Sequence, residues 1–150
     1  MRTLLFICEH NSARSQMAEA YLNALADGKF RAESAGLEPG VLNPYVVEVM
    51  GEDGLDISTH STKSVFDLYR QQRQYDAVIT VCSPEVGGKC PLFPGRVKRW
   101  NWPFADPSRL TGSREEILSA TRIIRDDIKA KIQEFLTKFD QIGIRLFLEE

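Results

Sequence analysis

Histidine and cysteine are scarce in this chain: His10 and His60 are the only histidines, and Cys8, Cys82 and Cys90 the only cysteines. Three thiols cannot pair off into a disulfide framework, and structural zinc calls for closely spaced cysteines with histidines beside them, whereas seven residues separate Cys82 from Cys90. No apolar run approaches the roughly 20 residues of a membrane-spanning helix, and the stretch before Cys8 is too short for a signal-peptide core. The expected compartment is the reducing cytoplasm, with no membrane partner. An excess of positive charge is also missing: 19 Lys and Arg stand against 21 Asp and Glu. Without a broad basic surface nucleic acid is not expected as a partner, and the cluster Arg96, Lys98, Arg99 reads as a solvated strand edge or a local anion-attracting rim. There are no internal repeats or low-complexity linkers. Residues 1–150 therefore read as a single domain, with 43% hydrophobic residues to build a core without staples.

What the chain does contain is an alternation of strand and helix signals. Leu4 to Ile7 is a short apolar run of the kind a fully buried strand needs. Met17, Ala18, Tyr21, Leu22 and Leu25 then recur at helical spacing from Ser15 to Ala26, where Asp27-Gly28 stops the helix. Phe30 to Ala35 predicts a second strand. Asn43 as N-cap with Pro44 at the first helical position starts a helix through Met50, and Ser64 to Gln72 predicts a short one. His60 falls in a polar, turn-like stretch and reads as a surface or loop residue. Tyr75 to Val81 is the clearest β-branched run and delivers Cys82 at its end. Ser83 to Gly95, with Pro84, Gly87, Gly88, Pro91, Pro94 and Gly95, predicts a mobile excursion. Val97 to Trp102 is the last strand. The capping box Ser113/Glu116 opens a long amphipathic helix that ends at Gly143, and the 144–150 tail has no pattern that says whether it docks on the domain. The order implies an α/β fold: about four parallel strands, helices on both faces, and a ligand site at the carboxyl ends of the strands, where Cys8, Cys82 and Asp106 are placed.

The stretch most suited to chemistry is Cys8-Glu9-His10-Asn11-Ser12-Ala13-Arg14-Ser15. A thiol at the end of a buried strand faces a helix N-terminus. The backbone N–H groups from Glu9 to Ser15 can curl into an anion-binding nest, Arg14 can offer a bidentate fork to a tetrahedral oxyanion, and the field there favours a thiolate at Cys8. Ser15 can steady that thiolate, and Asn11 tolerates the left-handed backbone of a tight loop. The plainer reading makes Cys8 a small buried hydrophobe and Arg14 an ordinary first-turn residue; C-x5-R spacing alone does not decide between them, but its place directly after the first strand, with Ser15 and Asn11, favours the functional one.

Thr3 to Ala18 resembles the oxyanion loop of the low-molecular-weight tyrosine phosphatases and of the arsenate reductases that share their fold. The resemblance continues through Ser34-Ala35-Gly36, Asp56 to His60, Val78 to Cys82, Cys90-Pro91 and Asp106 to Ser113. The last stretch and the Cys82/Cys90 pair resemble the three-cysteine, thioredoxin-coupled arsenate reductases more than the phosphatases, which typically carry tyrosine after Asp-Pro where this chain has Ser108, Arg109 and Leu110. Two departures stand in the loop: Ala13, where many relatives carry a further cysteine, and the pair Glu9-His10.

This resemblance implies that Cys8 attacks arsenate, that Asp106 is the general acid, and that Cys82 and then Cys90 relay a disulfide to an external thiol reductant, thioredoxin. It further implies a monovalent-cation site, for potassium, near Asn11, Glu19, Ser34 and Asp67, although Glu19 equally reads as a solvated helix residue. A monomer is expected. The rival readings are a phosphomonoesterase, which leaves Cys82 and Cys90 without a role, and a non-enzymatic oxyanion or arsenite sensor, which has no use for Asp106.

Overall fold

The computed structural model describes residues 1–148, so the last two residues of the 144–150 tail lie outside the described residues. Its element order is β1 (Arg2–Cys8), α1 (Arg14–Leu25), β2 (Phe30–Gly36), α2 (Pro44–Glu52), α3 (Val65–Arg70), β3 (Ala77–Thr80), α4 (Pro84–Gly88), β4 (Lys98–Asn101) and α5 (Arg114–Ile142), with 3-10 turns at Pro107–Arg109 and Gly143–Phe147. The four strands form one parallel sheet in the order β2-β1-β3-β4. Leu4, Leu5, Phe6 and Ile7 of β1 are all fully buried. Side chains alternate faces along a strand, so their common burial means that both faces of the sheet are covered there, and this is why the strand is a continuous apolar run.

After β1 the chain crosses to one side to make β2, then returns across β1 to make β3. The carboxyl ends of β1 and β3 therefore lie where successive connections diverge, the crevice in which open α/β sheets bind ligands. Cys8 ends β1, and Cys82 follows β3 by two residues. The local signals at the helix starts work as read: Asn43 accepts from the N–H groups of Tyr45 and Val46, and Ser113 and Glu116 cap α5 reciprocally.

Two sequence expectations change. The Ser83–Gly95 segment is not an open excursion: it holds the five-residue helix α4, and Val86, Cys90 and Phe93 are buried in the core. Phe93 sits edge-on to Tyr69 and Tyr75, at 5.8 and 5.1 Å between ring centroids. Three apolar side chains spaced along a Pro/Gly-rich stretch are enough to pin it, which composition alone conceals. The tail, silent in sequence, docks: Leu146 is buried and Phe147 joins Phe30, Trp100, Phe135 and Phe139 in an aromatic cluster.

Candidate active site

The Cys8–Ser15 loop is shaped from outside by the chain that follows β2. Leu37, Glu38, Gly40 and Asn43 donate their N–H groups to the carbonyls of Cys8, Glu9, His10 and Ser12, at 3.3, 2.9, 2.9 and 2.9 Å. With those carbonyls drawn outward, the loop has its amides left for an anion. Asn11 adopts φ 55°, the left-handed turn that Asn accepts more readily than most residues. Gly36 makes the close approach possible: a Cβ there would lie 2.7 Å from the Asn11 nitrogen and 2.9 Å from the Glu9 oxygen, both backbone. Helix α1 starts after Ala13 with no side-chain cap, so no side chain competes for its first-turn N–H groups.

Cys8 is almost completely buried, and its sulfur receives the Asn11 N–H at 3.2 Å and lies 2.9 Å from Ser15 Oγ. The direction of the second contact follows from the network behind it. The Lys63 N–H donates to Asn11 Oδ1 at 3.0 Å, which turns Asn11 Nδ2 toward Ser15 Oγ at 2.8 Å. Ser15 accepts that bond and has its own proton to give to sulfur, so both contacts favour thiolate over thiol. Gln16 extends the network, donating through Nε2 to Asn11 and to the Ser61 carbonyl. Its Oε1 can only accept, so the 3.1 Å contact with His60 places the proton on His60 Nδ1.

His60 lies in a loop, as its context implied, but it is tied into the support of the oxyanion loop. It is half-buried, and Nδ1 also stands 3.6 Å from Glu19. Sequence reasoning missed Gln16, His60 and the 37–43 segment as parts of the loop's support; the one signal for His60 was its place in the Asp56–His60 stretch.

The cleft beside the loop has a volume of about 430 Å³ and is lined by Glu9, Arg14, Cys82, Phe104, Asp106 and Arg109, among others. His10 turns away from it to contact the Glu38 carbonyl. Arg14 is anchored on the Phe104 carbonyl at 3.0 Å and stands 3.5 Å from Asp106. Asp106 caps the Pro107–Arg109 turn through one oxygen, which accepts from the Ser108 N–H, while its other oxygen lies between Arg14 and Arg109. A larger hollow of about 510 Å³ between Tyr69, Arg70, Gln72, Gln74, Leu92 and Pro94 is lined by no cysteine, histidine or carboxylate.

Burial, with the negative charge of Cys8 adding to it, pushes the Cys82 thiol up to about 11, against the pull of Arg14. Asn101 Nδ2 holds the carbonyls of Thr80 and Cys82, which fixes the backbone that carries this thiol. Cys90 stands apart. It lines a separate hollow with Pro84, Gly87 and residues of β3 and β4, and burial raises its thiol to about 11 as well.

The four residues expected to hold a cation are not gathered into a cage. Asn11 Oδ1 already accepts from Gln16 and Lys63, Glu19 accepts from Ser34 at 3.0 Å and faces His60, and Asp67 pairs with Arg70 on the exposed side of α3. The donor set present does not fit a potassium ion, because Asn11 Oδ1 is taken by Gln16 and Lys63, Ser34 and Glu19 are bonded to each other, and the Asp67 carboxylate is elsewhere.

An amide-lined loop around a buried sulfur, with an arginine and a carboxyl group lining the adjacent cleft of a parallel sheet, defines a class: enzymes that attack tetrahedral oxyanions through a cysteine. Residues 3–143 match the low molecular weight phosphotyrosine protein phosphatase family, and the chain belongs to it. It is 38% identical over 135 residues to an arsenate reductase of Shouchella clausii, covering 89% of this chain and 94% of that protein. Among solved structures, an arsenate reductase in its oxidized state superposes with a TM-score of 0.76 at 28% identity, over 92% of this chain and 98% of that one. A thioredoxin-dependent arsenate reductase of Corynebacterium glutamicum gives a TM-score of 0.68 at 29% identity, over 94% of this chain and 62% of that one.

Proposed function

We propose that this protein is a cytoplasmic, monomeric arsenate reductase that draws its electrons from its own thiols and is restored by thioredoxin. The observation that carries the reading is the second thiol, Cys82, inside the oxyanion cleft with Arg14 and Asp106. A phosphatase needs the oxyanion loop, Arg14 and Asp106 but has no use for a second sulfur there. The relatives named as arsenate reductases point the same way.

Arsenate binds to the loop amides and Arg14, and the Cys8 thiolate attacks arsenic. Asp106 gives its proton to the departing oxygen, which leaves as water. Cys82, once deprotonated, then attacks the Cys8 sulfur. The electron pair of the sulfur–arsenic bond moves to arsenic, which departs as arsenite, and a Cys8–Cys82 disulfide remains. Cys90 next attacks Cys82, Cys8 leaves as thiolate, and the Cys82–Cys90 disulfide passes to thioredoxin.

For that step Cys90 must cross from its own hollow, which requires α4 to open. A five-residue helix containing Gly87 and Gly88 has little backbone structure to lose, so the cost of opening lies in unpacking Val86, Cys90 and Phe93.

The test is arsenite release with and without thioredoxin, beside hydrolysis of an aryl phosphate. Thioredoxin-dependent arsenite release that Cys82→Ser abolishes is the expected result. Aryl phosphate turnover with no arsenite at all would make the protein a phosphatase, and oxyanion binding without turnover of either would make it a sensor.

A further inference from the structure

The relay leaves a chemical gap at its last thiol. Cys90 is buried, its titration is raised, and no residue of the oxyanion loop reaches it, yet it has to act as a nucleophile. The edge strand β4 closes the gap. Its burial alternates along Lys98, Arg99, Trp100 and Asn101, so Arg99 and Asn101 share one face. Asn101 holds the Cys82 carbonyl at 3.0 Å, and Arg99 Nη2 holds the Pro91 carbonyl at 3.0 Å. Neighbouring same-face residues thus grip the chain at both ends of the segment that carries the two thiols. The Cys90 thiol donates to that same Pro91 carbonyl at 3.5 Å, so thiol and guanidinium converge on one oxygen. On ionisation Cys90 loses the proton it gives to Pro91, and the guanidinium is already in place as donor and countercharge. The other residues around the hollow, Val78 and Thr80 from β3, Pro84 and Gly87 from α4, Trp100 and Asn101 from β4, carry no ionisable group.

We propose that Arg99 is the positioning residue of the resolving thiol: it keeps Cys90 recessed by gripping Pro91 and supplies the positive charge beside which Cys90 becomes a thiolate before it moves to attack Cys82. The step itself is balanced within the chain: the Cys90–Cys82 bond forms, the Cys8–Cys82 bond breaks, and Cys8 departs as a thiolate. This inference rests on the relay reading of the function. Burial raises the Cys90 titration and Arg99 opposes that rise, in agreement with the geometry.

The experiment follows alkylation of Cys90 against pH in the reduced protein, by peptide mass, together with formation of the Cys82–Cys90 disulfide after arsenate is added without reductant. R99Q is expected to move the Cys90 midpoint up by about one pH unit, leaving about tenfold less thiolate at neutral pH and slowing disulfide transfer correspondingly. R99K, which restores the charge without the fork, is expected to bring the midpoint back toward wild type. K98Q removes the same charge from the opposite face and should leave the Cys90 profile where it was. An unchanged midpoint in R99Q, failure of R99K to restore it, or an equal shift in K98Q would each overturn the role given to Arg99. If the wild-type protein forms no Cys82–Cys90 disulfide at all, it is the relay that fails, and that result is read independently of the variants.

Discussion

Cys8 sits in one electrostatic setting and Cys82 and Cys90 in another, a contrast that fits Cys8 as the first nucleophile of the proposed relay. Cys8 receives an amide and a hydroxyl at its sulfur, whereas Cys82 and Cys90 are desolvated and hold their protons to about 11. In the reduced protein, alkylation of Cys82 should therefore be slow at pH 8 and rise steeply only as pH approaches 11, because the thiolate fraction grows as pH passes the raised value. Peptide mapping after timed alkylation checks this, and rapid labelling of Cys82 at pH 7 would mean that it is not desolvated as described. Asp106 belongs to the same scale. Its carboxyl lines the cleft beside Arg14, and Asp106→Asn should slow formation of the Cys8 adduct by about 10²–10⁴-fold while oxyanion affinity is largely kept, since a general acid acts on the leaving oxygen in the transition state. Rapid-quench measurement of the adduct against phosphate inhibition separates the two, and equal losses in both would mark Asp106 as structural.

Between elements, the contact that matters most for the site has no side chain. Gly36 at the end of β2 lets the backbone of His10 and Asn11 pass within a distance that a methyl group would occupy. Gly36→Ala must displace the loop, since the opposing atoms are backbone and cannot rotate away. The expected outcome is a folded protein destabilised by about 1–3 kcal/mol with phosphate affinity and turnover both strongly reduced, seen in thermal melts beside inhibition assays. Helix α1 is also tied to α5 through the residue that follows α2: Asp53 accepts from Tyr21 at 2.7 Å and from Lys129 at 3.0 Å. Those bonds, Tyr21 first, hold the Asp53 carboxyl below its ordinary range. A lowered folded-state value gives stability that is present above the unfolded value of about 3.9 and is lost as pH falls through the folded one. Asp53→Asn should flatten the acid limb of a stability-against-pH curve at that end; an unchanged limb would show that the bonds to Tyr21 and Lys129 persist without the charge.

At the scale of the whole molecule, the sheet and the long carboxyl-terminal helix meet in an aromatic cluster. Phe135 touches Phe30, Trp100, Trp102 and Phe147, at 5.2 to 6.5 Å between ring centroids, and so joins β2, β4, α5 and the docked tail. Phe135→Ala should cost about 3–5 kcal/mol, measured by denaturant unfolding. A loss below 1 kcal/mol would mean that the cluster repacks around the void.

The alternation of elements, the buried first strand, the caps of α2 and α5, and the left-handed turn at Asn11 in the Cys8–Ser15 loop were all legible in the chain by itself. Each is a local matter, carried by periodicity, by side chains that bond their own neighbours, or by a loop whose chemistry lies within eight residues. The assembly of the site was not. The outward pull of Leu37, Glu38, Gly40 and Asn43 on the loop carbonyls, and the path from His60 through Gln16 and Asn11 to Ser15, join segments dozens of residues apart, and no spacing rule connects them. The mobile segment expected from Ser83 to Gly95 shows the same limit from the other side. Composition measures how freely a chain can bend, but whether it does depends on what Val86, Cys90 and Phe93 meet across the fold. The place of Cys82 in the cleft and of Cys90 behind α4 is likewise a product of tertiary structure, because two thiols seven residues apart can face one another or opposite ways, and only packing against β3 and β4 decides.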